Sequence, residues 1–232
     1  MKNGHPVLFS PLALLRALIA LGGRAAKEED IADLLWPEAE GDLAQHSFEM
    51  TLHRLRTLGG YPDAFQLRNG RLTMEQRYCW VDVWAFERFL GEADSKRKEG
   101  LTEKAAELTQ RAIEVYRGPF LVGEMEHPFV ISFRERLRSK FSRNVSWLGG
   151  YWEETNRWEK ALEFYQRGLE VDDLAEELYR RLMLCHKRLG QKVEALSVYK
   201  RCEKILSATL GIKPSPKTQA LYKTLSSPDL RT

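Results

Sequence analysis

Phe65-Gln66-Leu67-Arg68-Asn69-Gly70-Arg71-Leu72-Thr73-Met74 alternates apolar and polar side chains on both sides of an Asn-Gly pair. Alternation with period two puts one face of each arm against a core, and Asn-Gly suits a tight turn whose central residues take positive φ. The stretch predicts a β-hairpin, and helix patterns lie upstream of it. Ser10-Pro11 combines an N-cap serine with proline at the first helical position. Leu12, Leu15 and Ile19, with Leu14, Leu18 and Leu21, form the apolar face that follows, and Gly22-Gly23 stops it. A second helix is expected over Lys27–Leu35, with Ile31, Leu34 and Leu35 apolar and Trp36-Pro37 as its end. A third is expected over Asp42–Leu58, where Phe48, Leu52 and Leu55 at i, i+4 and i+7 share one buried face. Before the first helix, Asn3-Gly4 is a turn signal and Val7-Leu8-Phe9 a short strand candidate. Three helices followed by a hairpin is the order of a winged helix-turn-helix, an order that a generic small α+β domain would also show.

Downstream of Tyr78 the patterns are helical to the end. Ala161-Leu162-Glu163-Phe164-Tyr165-Gln166-Arg167 and Ala195-Leu196-Ser197-Val198-Tyr199-Lys200-Arg201 match at a separation of 34 residues, the tetratricopeptide period. Small residues at Ala161 and Ala195 allow paired helices to approach closely, and Tyr165 and Tyr199 fill the adjoining layer. One helix earlier, Leu148-Gly149 and Leu182 stand where this repeat takes leucine. Tyr179 takes the place of its first aromatic residue, where the other copy has Val145. Ala105 and Ala112 mark a more divergent copy, and Ser215-Pro216 repeats the helix-start signal to close the stack. The fold class that follows is mainly α: an N-terminal winged helix-turn-helix over residues 1–77, then a tetratricopeptide-like α-solenoid over 78–232.

Composition excludes several alternatives. With 232 residues, 43% hydrophobic and 30% charged, the chain has a soluble globular composition for one or two domains. Arg16 interrupts the longest apolar run, Leu12 to Leu21, so no membrane partner is expected. The same start mimics a secretory signal, against which Pro11 and Arg16 stand. Three cysteines without a C-x-x-C fit a reducing, cytoplasmic setting with neither a disulfide frame nor a zinc site. The chain has no G-x-x-x-x-G-K-[ST], G-x-G-x-x-G, G-x-S-x-G or H-E-x-x-H. His46 and His53 share a helix face with Glu49 between them, but a polar outer face accounts for them better than a metal site does. Neither catalysis nor a cofactor is expected.

The net charge of +3 is informative only locally. Residues 1–77 carry nine Lys/Arg against ten Asp/Glu, which excludes a strongly basic domain. Residues 51–71 hold Arg54, Arg56, Arg68 and Arg71 against Asp63 alone, while Glu28, Glu29, Asp30 and Asp33 crowd the second helix. That division suits a domain presenting its third helix and hairpin to DNA with an acidic side turned away. At about 100° per residue, His46, Met50, His53 and Thr57 point away from the buried face, with Ser47 and Arg54 flanking. Arginine can bond guanine bidentately, Ser, Thr and His can bond bases or phosphates, and Met50 can meet a thymine methyl. Arg68, Asn69 and Arg71 at the hairpin tip suit a minor groove or the backbone. A solvated helix and an ordinary turn would look the same. The run Phe133–Arg143 is a second basic stretch, read as a DNA- or partner-facing surface or as a solvated amphipathic helix. Trp147, Trp152 and Trp158 read as packing between repeats, and Cys202 as a buried packing residue.

Assembled, the chain resembles SARP-type transcriptional regulators, in which an OmpR-type winged helix precedes a bacterial transcriptional activator domain of tetratricopeptide-like helices. The resemblance rests on Ile31-Ala32-Asp33-Leu34-Leu35-Trp36-Pro37, Thr51-Leu52-His53-Arg54-Leu55-Arg56 and the junction Val81-Asp82-Val83-Trp84-Ala85-Phe86-Glu87. Further on it rests on Ala112-Ile113-Glu114-Val115-Tyr116-Arg117-Gly118-Pro119-Phe120-Leu121 and Leu210-Gly211-Ile212-Lys213-Pro214-Ser215-Pro216-Lys217-Thr218. It implies cytoplasmic binding to double-stranded promoter DNA, often as side-by-side copies on direct repeats, with recruitment of RNA polymerase. By the same resemblance Thr51, His53, Arg54 and Arg56 lie at or near DNA, although the helical wheel puts Arg56 nearer the buried side. The small N-terminal sheet of the family is reduced here to at most Val7–Phe9, and no receiver or ATPase is visible. Both departures suggest the output end of a larger regulator. A tetratricopeptide-like interaction scaffold that does not bind DNA is the competing expectation.

Overall fold

The computed structural model describes residues 10–123 and 127–227. The strand and turn expected before Ser10 lie outside those residues. Helix α1 spans Pro11–Ala20, and the Ser10 side chain accepts from the Leu12 amide at 3.3 Å. Strand β1 is Ala26–Lys27 and helix α2 is Glu28–Leu35. Helix α3 is Gly41–Gly59, and a 3-10 turn at Pro62–Ala64 leads into β2, Phe65–Arg68, and β3, Arg71–Met74. Asn69 and Gly70 have φ of 50° and 68°, so the hairpin closes through two left-handed residues as Asn-Gly requires.

Strand β1 corrects the sequence reading, which placed Lys27 in the second helix. Two residues carry no periodicity, and Lys-Glu-Glu-Asp reads as continuous helix. β1 exists because it pairs antiparallel with β3, giving a three-stranded sheet in the order β1-β3-β2. The Met74 amide donates to the Gly23 carbonyl at 2.8 Å and the Ala25 amide to the Thr73 hydroxyl at 3.0 Å, holding the approach to β1 against β3. Leu14 and Leu18 of α1, Ile31 of α2, Phe48 and Leu52 of α3, and Leu72 of β3 are buried together as the core of this unit.

Helices α4 (Asp82–Lys98), α5 (Thr102–Val115), α6 (Pro128–Glu154) and α7 (Trp158–Val171) follow. Then come α8 (Glu176–Arg188), α9 (Lys192–Leu210) and α10 (Pro216–Ser226). The chain forms two compact units. One comprises the described residues of Met1–Val81 with those of Phe120–Arg134, and the other Asp82–Pro119 with those of Glu135–Thr232. Residues 120–134, expected within the helical repeats, therefore group with the winged helix. There Phe120 meets Phe133 edge-on at 5.1 Å, and Arg134 donates to the Phe120 and Leu121 carbonyls.

In the second unit the repeat positions are packed as their residue types demand. Ala105, Ala112, Ala161 and Ala195 are fully buried, and Tyr165 and Tyr179 are among the largest fully buried side chains. Cys202 is buried, and Trp152 is buried while Trp147 and Trp158 are half-buried. The basic run on α6 is a packed amphipathic helix: Phe133, Leu137 and Phe141 are buried, Arg138 pairs with Asp172 at 2.9 Å and Lys140 pairs with Glu87.

The closing helix α10 is held by one carboxylate of α8. Glu176 accepts from the Ser215 amide at 2.9 Å, from the Ser215 and Thr218 hydroxyls, and pairs with Arg180 at 3.2 Å. Burial alone would raise its pKa, but the Ser215 and Thr218 hydrogen bonds and the Arg180 charge outweigh it and hold the carboxyl below its ordinary value of 4.5. A depressed folded-state pKa contributes stability above the unfolded value and loses it as pH falls through the folded one. The unit is therefore expected to lose stability below about pH 4.5. Glu176→Gln should cost about 1–3 kcal/mol at neutral pH and flatten this acid limb. Thermal melts of both proteins at pH 7 and at more acid pH check it; parallel curves would show the carboxylate to be idle.

Candidate nucleic-acid interface

The apolar stripe of α3 (Ala44, Phe48, Leu52, Leu55) faces the core, and the opposite side lies open. His46, Met50, His53, Arg54 and Thr57 are all on that open side, as the helical wheel predicts, and Met50 is 44% exposed. Three expected contact residues are corrected. Ser47 and Thr51 are 2% and 0% exposed, and the Thr51 hydroxyl bonds back to the Ser47 carbonyl at 2.7 Å. Two small hydroxyl residues widen the buried face of α3, since back-bonding satisfies the threonine without solvent. Arg56 is also engaged inside the fold. Its Nε and Nη2 donate to the Phe65 carbonyl at 3.0 and 2.7 Å, fastening the last turn of α3 to β2.

The wing brings its cations together by register. Lys27 of β1 faces Arg71 of β3, and Arg71 faces Arg68 of β2, so three exposed cations stand in one row across the sheet. Among the described residues none of the three has an acidic partner; Arg71 donates instead to the Ala25 carbonyl at 3.0 Å. Like charges directly opposite one another on a sheet are destabilising, so an anion outside the protein would relieve the row. Arg54 on α3 is likewise unpaired. Lys27 was missed from sequence because its strand was.

The wing tip and the start of α3 border a common cleft of about 760 Å³, lined by Gln45 and Asp42 of α3, Asn69, Gly70 and Arg71 of the wing, and Lys27 and Glu28. Gln45 is exposed there and was also missed, since the wheel reading stopped one residue short of it. The wing tip is tied in place by the Glu28 amide, which donates to the Gly70 carbonyl at 2.9 Å. Burial, then Glu49 and Glu29, pushes the Glu28 carboxyl above its ordinary value, and its Oε1 is buried without a hydrogen-bond partner.

A winged helix followed by tetratricopeptide-like helices is the layout of the SARP-type regulators. The chain belongs to the bacterial transcriptional activator domain family, whose family model matches residues 81–226. It is similar to the regulatory protein AfsR of Streptomyces griseus, 24% identical over 223 residues that cover 96% of this chain and 22% of that protein. AfsR of Streptomyces coelicolor is 26% identical over 237 residues, covering 94% of this chain and 22% of its own length. The chain thus spans about a fifth of the length of the curated relatives it matches. Among solved structures, Mycobacterium tuberculosis EmbR, in complex with a low affinity phosphopeptide, superposes with a TM-score of 0.67. It covers 97% of this chain and 60% of the EmbR chain at 20% identity, which is a likeness of fold. A regulatory role follows from the family. No helix of the described residues is long and apolar enough to cross a membrane.

Proposed function

We propose that this chain is a promoter-reading regulator of transcription. The open face of α3 (His46, Met50, His53, Arg54) reads base edges in the major groove, and the wing (Lys27, Arg68, Asn69, Arg71) grips the adjacent phosphates. The observation that carries this reading is the unpaired row Lys27–Arg71–Arg68 beside an exposed recognition-type helix. A fold that lines up three like charges without a counter-ion is arranged for a polyanion. The helical unit supplies the contact to RNA polymerase, two copies on direct repeats form the working complex, and its setting is the cytoplasm, as in the family it resembles.

Selection of duplexes from a random pool at low salt tests the reading, with an enriched motif as the expected result. Arg54→Ala is expected to weaken binding to that motif about 5–150-fold and to relax preference at one base pair, as loss of a bidentate arginine does. Affinity unchanged by Arg54→Ala would remove α3 from the interface. A second reading, an interaction scaffold without DNA binding, is favoured by the exposed aromatic side chains Tyr61 and Trp80 at 61% and 69%. It requires that no duplex bind at low salt.

A further inference from the structure

The geometry points to Glu49 as a specificity-determining residue that accepts a hydrogen bond from the exocyclic amine of a cytosine in the major groove. The inference rests on the DNA reading above and deepens it. Glu49 is exposed on α3 one turn from His46 and one turn from His53, at the edge of the open face on the side of Glu28. It makes no hydrogen bond and no ion pair among the described residues. Neither His46, His53 nor Arg54 engages it. In the fold its charge does harm, because it is close enough to Glu28 to disfavour ionisation of that half-buried carboxyl, which already has one oxygen without a partner.

A carboxylate on a surface meant for phosphates lowers affinity for every duplex by like-charge repulsion. That penalty is offset only where the carboxylate meets a donor on a base edge. The major groove offers two such donors, the adenine N6 and cytosine N4 amines. Adenine also presents the N7 acceptor beside its amine, a pair that suits a side-chain amide, whereas a carboxylate, with acceptors alone, is matched by the cytosine amine. Gln45, one turn before Glu49 on the same exposed side, carries the amide that suits adenine. The pair then reads neighbouring positions in different chemistry.

The test uses the full chain as wild type, Glu49→Ala and Glu49→Gln, each put through selection from a random duplex pool and then titrated against the enriched site and its single-base variants. Both substitutions are at an exposed, unbonded position, and far-UV circular dichroism checks that the fold is kept. The expected result has three parts. The wild-type motif contains a cytosine whose replacement costs about fivefold or more. Glu49→Ala loses that preference alone while binding unrelated duplexes several-fold more tightly. Glu49→Gln moves the same position toward adenine. Identical motifs and identical single-base penalties for all three proteins would overturn the role of Glu49 and leave DNA reading intact. Failure of the wild type to bind any duplex at low salt would overturn both.

Discussion

Raising monovalent salt from about 50 to about 200 mM is expected to weaken duplex binding about 40-fold. Three exposed cations, Lys27, Arg68 and Arg71, stand on the proposed phosphate-gripping wing without acidic partners. Each phosphate neutralised releases about 0.9 of a counter-ion, so three contacts give a log–log slope near −2.7. Arg68→Ala with Arg71→Ala should make the slope shallower by about 1.8 and leave sequence preference largely intact, because phosphate contacts position the protein and do not read bases. Fluorescence anisotropy over a salt series measures both slopes. A wild-type slope near zero would sink the face altogether, and an unchanged slope in the double variant would remove the wing from it.

Gly149→Ala is expected to lower the stability of the helical unit by about 2–3 kcal/mol. A Cβ at this position would lie 2.2 Å from Tyr165 Cε1 and 2.4 Å from Cζ. The ring cannot swing aside cheaply. Tyr165 is 1% exposed and its hydroxyl donates to Glu153 at 2.6 Å, while Arg181 donates to the other oxygen of Glu153 at 3.1 Å. Moving the tyrosine therefore breaks a connection among α6, α7 and α8. The helix-propensity gain of alanine over glycine, about 0.5–1 kcal/mol, has the opposite sign and is too small to win. Gly150→Ala is the control: nothing lies within 4 Å of the Cβ it would carry, so propensity alone acts and stability should rise slightly. Urea unfolding of both variants separates the cases, and a stable Gly149→Ala protein would show the ring to have room.

These two sites differ in how visible they are in the amino-acid sequence. Gly149 follows Leu148 at the repeat's Leu-Gly position, and the 34-residue spacing of Ala161 and Ala195 locates its partner helix before any coordinates do. The hairpin was equally legible, because Asn69-Gly70 is a local signal. What escaped was non-local. Strand β1 has no pattern of its own and exists through pairing with β3, so Lys27 was assigned to a helix. Arg56 looked like a free cation because nothing in α3 announces that the Phe65 carbonyl lies within its reach. Ser47 and Thr51 looked polar and therefore outward, whereas the buried arc of α3 is wider than its leucine and phenylalanine positions alone. Residues 120–134 joined the first unit through contacts that no periodicity encodes.

The row of like charges across the wing has one further consequence. Lys27, Arg71 and Arg68 repel one another for as long as no anion is bound, so replacing Arg68, which unlike Arg71 holds no backbone carbonyl, with a neutral β-branched residue would firm up the sheet. Natural proteins commonly hold such reserves of stability at functional surfaces. A selection for heat resistance alone would discover that replacement and fix it, and on the proposed reading the resulting protein would be sturdier and weaker on DNA.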